Sequence, residues 1–231
     1  QVASNQYGGQ SISLTHLAPF VQISREKIRK SVQKEMENYD PTRAGRLIED
    51  FVNNDLSNWY VRLNRKRFWG KEMSQDKLAA YQTLYTCLTT VAKLLAPFAP
   101  FFADQLFCDL GAAKLEGTTS VHLAKFPVAD DQLIDSELED RMGMAQKITS
   151  MVHALRKKVN IAVRQPLQAI MIPAVDDEQR RHIEAVKDLI LSEVNVKELR
   201  FVEGSGVLVK KVKCNFRTMG KKFGKLMKGI A

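Results

Sequence analysis

Between Ser74 and Leu95, apolar side chains recur every three or four residues, at Leu78, Tyr81, Leu84, Tyr85, Leu88, Val91, Leu94 and Leu95. That spacing winds onto one side of an α-helix, and such a stripe needs a partner surface to bury it. Ser74 is placed to cap the helix. Pro97 and Pro100 in APFAPFFADQLF force a break, because proline lacks the N–H and crowds the preceding turn. A restart over Phe101 to Leu110, closed by Gly111, supplies the next helix.

Two helices precede this pair. A helical pattern runs from about Ser24 to Asn38 and is interrupted by Tyr39-Asp40-Pro41. Asp40 can cap the following helix while Pro41 occupies its first position, where a missing N–H is harmless, so a long helix is predicted from Pro41 to about Phe68. Gly70 to Ser74 is the turn that follows. Four helices with short connections predict an antiparallel bundle over residues 1–128. Gln1 to Leu17 is polar and shows no sustained period, and residues 1–23 are expected to be poorly ordered.

A different pattern follows the acidic linker VADDQLID. Ser136 to about Lys158 reads as a helix with Leu138, Met142, Ala145, Ile148, Val152 and Leu155 on one side. Gln168 to Ile172 reads as a strand, Asp176 to Leu191 as an amphipathic helix, and Val196 to Val202 as a strand. Glu203-Gly204-Ser205-Gly206 then turns the chain into a further strand, Val207 to Lys213. The predicted fold is mainly α: a helical bundle, then over 129–231 a linker helix and a small α+β unit in the order β-α-β-β, truncated at its end. Starting at Gln1 and stopping at Ala231 inside a helical pattern, the sequence reads as a piece of a longer one.

Several function classes are excluded at this level. No apolar run approaches the roughly 18 residues of a membrane span, and no signal-peptide layout is present, so a soluble cytoplasmic protein without a membrane partner is expected. Cys87, Cys108 and Cys214 are too widely spaced for a disulfide framework or a zinc site, and no metal is expected. His16, His122, His153 and His182 stand apart from one another and from any nucleophile. There is no glycine-rich phosphate loop, and GSG between two strands is a hairpin turn. No catalytic residue emerges.

Charge points elsewhere. Of the formal +9, residues 204–231 hold eight Lys/Arg and no acid, which leaves about +1 (9 − 8) for the rest. Such a tail attracts nucleic acid or an acidic lipid surface. A second basic stretch, SNWYVRLNRKRFW (57–69), interleaves four cations with four aromatic rings. At 100° per residue, Asn58, Arg62, Arg65, Lys66 and Trp69 fall on one side with Trp59 at its edge, while Leu56, Tyr60 and Leu63 fall opposite. Arginine donates to phosphate in two-pronged fashion, and an exposed indole gives a base a stacking platform worth roughly 1–3 kcal/mol. A bundle core fringed by snorkelling cations fits the same pattern.

Resemblance narrows these alternatives. YDPTRAGRLIEDFVNNDLSNWYVRLNRKRFW closely resembles the anticodon-binding region of isoleucyl-tRNA synthetases, especially the bacterial enzymes that look like the eukaryotic form. KLLAPFAPFFADQLF and SVHLAKFP are similar to the proline-broken helix and following segment shared by the class I synthetases for Ile, Val and Leu. LRKKVNIAVRQPL looks like the isoleucyl-specific stretch beyond the bundle, and NFRTMGKKFGKLMKGIA like the start of the C-terminal region. These matches span Asp40 to Ala231. Residues 1–30 do not match what precedes the YDPTRAGR run in that family. The HIGH-type and KMSKS-type motifs and the editing domain have no counterpart here.

The resemblance implies an RNA-binding portion of an amino-acid ligase, with no cofactor of its own; ATP and Mg would serve the full-length enzyme. Its implied partners are isoleucine tRNA, through the anticodon stem-loop, and the catalytic and editing domains of the same chain. The implied tRNA contacts are Asn58, Trp59, Arg62, Arg65, Lys66, Arg67 and Trp69, although Arg67 projects toward the core side. Secondary contacts are expected at Arg156, Lys157, Lys158 and Arg164, unless these only brace the junction, and at Lys221, Lys225 and Lys228, unless that stretch docks on the rest of the enzyme. The competing readings are the equivalent valyl region, which RQPL disfavours, and a helical protein-interaction module with a basic face.

Overall fold

The computed structural model describes residues 17–173 and 176–202. The chain is mainly helical with a small parallel sheet. Helix α1, Ala18–Glu37, begins six residues earlier than the sequence pattern indicates. Leu17, Phe20, Val21 and Ile23 lie in the core, so the first turn is fixed by burial even though its polar spacers hide the period.

Helix α2, Pro41–Asp50, starts as expected, with the Asp40 carboxylate accepting from the Arg43 N–H at 2.9 Å. The single helix predicted to Phe68 is not continuous. Phe51–Val61 is π-helical, Asn64 breaks the chain's course, and α3 covers only Arg65–Trp69. Asn64 is buried, and both its backbone N–H and its side-chain amide donate to the Tyr60 carbonyl, at 3.1 and 2.8 Å, which pins the bend. A π-helix closes its hydrogen bonds one residue later than an α-helix, so each residue advances the winding by less than 100°.

Helix α4, Gln75–Leu95, is capped by Ser74 Oγ, which accepts from Lys77 N at 3.1 Å. Its buried face differs from the predicted stripe. Ala80, Thr83, Cys87, Thr90, Val91 and Leu94 pack inward, whereas Leu78 and Tyr81 are each 40% exposed. Small residues let α1 approach closely, and the two buried threonine hydroxyls donate to the carbonyls four residues back, Thr83 to Ala79 at 3.0 Å and Thr90 to Thr86 at 2.8 Å. Helix α5, Pro100–Asp109, ends near Gly111 (φ 69°), and α6 is the single turn Ala112–Leu115. The SVHL segment is clasped to α5: Asp104 accepts from the Ser120 hydroxyl at 2.7 Å and the Val121 N–H at 2.8 Å, which holds its carboxyl below the usual range.

Helix α7, Ser136–Lys158, matches its predicted bounds, capped by Asp135. Leu138, Met142, Ala145 and Ile148 are buried as expected, but Leu155 is exposed and Arg156 takes the inward position at the last turn. Strand β1, Leu167–Pro173, pairs in parallel with β2, Val196–Val202, from Leu167 opposite Val196 to Pro173 opposite Val202. The one helix predicted between them is two, α8 (Asp177–Ala185) and α9 (Lys187–Val194), bent at the buried Val186. Asn195, left-handed at φ 52°, turns α9 directly into β2. The further strand predicted at Val207 to Lys213 lies outside the described residues. One hydrophobic cluster runs from Leu17 through α1, the π-helical segment, α4 and α7 to Leu199 in β2.

Candidate nucleic-acid interface

The basic aromatic stretch occupies the end of the π-helical segment and all of α3, and its side chains sort into two groups. Leu56, Trp59, Tyr60 and Phe68 are buried. Tyr60 donates its hydroxyl to the Ala80 carbonyl at 3.0 Å, and burial pushes the phenol up to about 12. The Phe68 ring meets the rings of Tyr60 and Tyr81, with centroids 6.4 and 5.1 Å away, and Lys77 Nζ donates to the Gly70 carbonyl at 2.6 Å. These contacts seat α3 on the start of α4.

Asn58, Arg62, Arg65, Lys66 and Trp69 are all exposed. Trp69 is 76% exposed, and the Arg65 guanidinium stands 5.3 Å from its ring centroid, so a cation and an indole plane already form one surface unit. Arg62 donates from Nε to the Asn58 carbonyl at 2.8 Å and pairs with Glu193 on α9.

Three of the side chains expected at the interface do not reach solvent. Trp59 is 4% exposed and offers no stacking plane; the narrower angular step of the π-helix carries it inward from the edge of the outer face. Arg67 is gripped by Asp76, with its Nε and Nη2 donating to the two carboxylate oxygens at 2.7 and 2.5 Å, and its Nη1 donates to Asn64 Oδ1 at 2.7 Å. Arg156 is 2% exposed, and its guanidinium donates to the carbonyls of Ala162, Gln165, Val194 and Asn195 at 2.9–3.1 Å. It braces the junction rather than meeting a phosphate. Lys157, Lys158 and Arg164 are exposed, while Lys221, Lys225 and Lys228 lie outside the described residues.

Beside the outer face runs a groove of about 810 Å³, walled on one side by Asn54, Asn58, Trp59 and Arg62 and on the other by residues of α7. The α7 wall was not legible in the sequence, because its polar residues Gln146, Lys147 and Ser150 read as the solvated side of an amphipathic helix. A smaller depression of about 440 Å³ is lined by Arg25, Arg29, Lys93 and Lys125, and the first three of these cations are engaged. Lys93 pairs with Glu116, and Arg25 and Arg29 pair with the buried Glu26. Burial pushes the Glu26 carboxyl up, but the Asp130 N–H and the two guanidinium groups outweigh it and hold the carboxyl below its ordinary value.

Burial pushes the Cys87 thiol up to about 12, far from a reactive thiolate. Among the described residues no group of three His, Cys, Asp or Glu side chains is arranged to hold a metal, and no helix is long and apolar enough to cross a membrane.

Comparison with known proteins bears on the same residues. The family described as "Anticodon-binding domain of tRNA ligase" matches residues 24–171. The isoleucine–tRNA ligase of Bacteroides fragilis is 66% identical over 204 residues, which cover 87% of this chain and 18% of that protein. That of Cytophaga hutchinsonii is 53% identical over 207 residues, covering 89% and 19%. That of Thermus thermophilus is 41% identical over 201 residues, covering 86% and 19%. The chain thus spans about a fifth of the length of these relatives.

Proposed function

The chain belongs to the family of anticodon-binding domains of tRNA ligases, and from that premise we propose that it is the anticodon-binding portion of an isoleucine–tRNA ligase. The relatives' names support the amino acid. In the whole enzyme, in the cytoplasm, the catalytic domain would attach isoleucine to the tRNA with ATP and Mg, beside an editing domain of the same chain, while this portion holds the distant anticodon stem-loop. Its helices form an antiparallel bundle.

The observation that carries the reading is the exposed set Asn58, Arg62, Arg65, Lys66 and Trp69, which places four polar side chains and an indole ring within twelve residues of one another. Anticodon bases are unstacked in a loop and can be splayed onto an exposed ring. Trp69, backed by Arg65, supplies that plane; Arg62 and Lys66 face the phosphates and Asn58 a base edge. Lys157, Lys158 and Arg164, with Lys221, Lys225 and Lys228, extend the contact along the RNA backbone.

The test is binding of the chain to isoleucine tRNA and to a copy with a substituted anticodon, at two salt concentrations. The reading predicts roughly tenfold tighter binding of the natural anticodon, the effect of losing one base contact of about 1–3 kcal/mol, at both salts. Equal affinity for the two RNAs would assign the basic face to an acidic protein partner instead.

A further inference from the structure

Arg25 and Arg29, four residues apart on α1, close on the buried Glu26 without using up their donors. Arg25 donates through Nε and Nη2 to Glu26 Oε1, at 3.1 and 2.8 Å, and Arg29 donates through Nη1 to both carboxylate oxygens, at 2.7 and 2.8 Å. Arg25 Nη1 and Arg29 Nη2 make no hydrogen bond among the described residues. Neither belongs to the buried polar atoms that lack a partner, a group that does include Arg29 Nε, so both terminal nitrogens reach the surface. Both arginines line the 440 Å³ depression.

A second wall adds charge from another part of the chain. Lys125, in the segment that follows SVHL, lines the same depression, is exposed, and makes no hydrogen bond or ion pair among the described residues. Lys93 on α4 lines it as well and is paired with Glu116. Four cations against Glu116 and the buried Glu26 leave a net charge of +2 (4 − 2). Tyr85 and Phe126 supply an apolar side to the depression.

We propose that this depression is a binding site for a phosphate group, held by Arg25 and Arg29 from α1 and by Lys125 from across the opening. The buried acid fixes the two guanidinium forks, and a fork held in place loses little freedom when it meets an oxyanion. A carboxylate brings one charge and two oxygens in a plane, whereas a phosphate brings close to two charges and oxygens that point to both walls at once, which matches the net +2. At about 440 Å³ the space falls within the range of about 300–1,000 Å³ that holds small ligands, so a diphosphate or the organic part of a phosphate ester fits against Tyr85 and Phe126.

The site is separate from the basic aromatic stretch. That stretch is seated on the start of α4, where Lys77 donates to the Gly70 carbonyl, and Thr89 in the depression lies twelve residues further along the same helix, roughly 18 Å at 1.5 Å per residue. The proposal does not depend on the anticodon-binding reading.

The experiment titrates the full chain with inorganic phosphate and with pyrophosphate by calorimetry, against sodium chloride at matched ionic strength. Saturable binding is expected for both, tighter for pyrophosphate. Lys125→Ala should weaken it roughly fivefold, the effect of losing one exposed charge-assisted hydrogen bond, and Lys125→Glu by more. Lys125 is exposed and unpaired among the described residues, so both variants keep the fold. Lys197→Glu, the same change of charge at an exposed position on β2, should bind as the parent does. Isoleucine tRNA added to the saturated chain separates the sources: displacement of pyrophosphate assigns the site to a phosphate of an RNA backbone, and simultaneous binding assigns it to a small phosphate compound. Absence of saturable binding, Lys125→Glu matching the parent, or equal weakening by Lys197→Glu would overturn the proposal.

Discussion

The Arg62 guanidinium is held by the carboxylate of Glu193, which reaches it from α9 and also faces His153 Nε2 at 3.5 Å. Glu193 is 11% exposed and Arg62 40%, so the acid is the fixed member and the arginine presents its remaining donors outward. The pair ties the small α/β part to the end of the π-helical segment, and it also places a negative charge beside a surface proposed to meet phosphates.

Removing that charge should therefore favour RNA. Glu193→Gln is expected to tighten tRNA binding several-fold at low salt and less at high salt, because the carboxylate no longer competes with a phosphate for Arg62. A salt titration of binding reads both quantities.

Arg156 and the exposed cations separate stability from binding. Arg156→Ala removes four hydrogen bonds and leaves the buried Val194 carbonyl without its donor, and should destabilise the chain by about 1–3 kcal/mol, measured by urea denaturation. Arg164→Ala, on the surface, should shift stability by less than about 0.5 kcal/mol.

The two tryptophans should behave oppositely. Trp69→Ala is expected to weaken tRNA binding by about 1–3 kcal/mol with an unchanged melting temperature, since its ring is exposed, with Arg65 over its face. Trp59→Ala empties a core site and should lower stability by about 3–5 kcal/mol.

Asp55 gives a pH signature. Burial raises its carboxyl above the ordinary value, against hydrogen bonds from Gln146 and Ser24, and the charges of Glu139 and Asp50 add to the rise. The folded chain therefore holds this proton more tightly than the unfolded one, and stability falls as pH rises from the ordinary carboxylate value through the raised one. Asp55→Asn keeps an acceptor for Gln146, so it should raise the melting temperature at pH 7, and the gain should shrink as the pH is lowered into the carboxylate range.

Local signals were legible in the sequence, and remote partners were not. The caps at Asp40, Ser74 and Asp135 and the bounds of α7 follow from residues within one turn of each other. The inward Leu56 and Tyr60 and the outward Arg62 and Trp69 followed from helical winding. The π-helical segment carries no compositional mark, so the angle of Trp59 was misplaced. The core-side projection of Arg67 and the bracing alternative for Arg156 were legible, but their partners, Asp76 and the carbonyls at the end of α9, were not, because tertiary packing sets them. On α4, threonines that satisfy themselves against the helix occupy positions where a hydrophobic pattern looks for leucine.

Nucleotide-resolved chemical probing of isoleucine tRNA with and without the chain tests the central claim most directly. The account predicts that the anticodon nucleotides become protected, that Trp69→Ala restores their reactivity, and that the acceptor end stays unchanged. Protection confined to the acceptor end, or a footprint identical for the parent chain and Trp69→Ala, would contradict it.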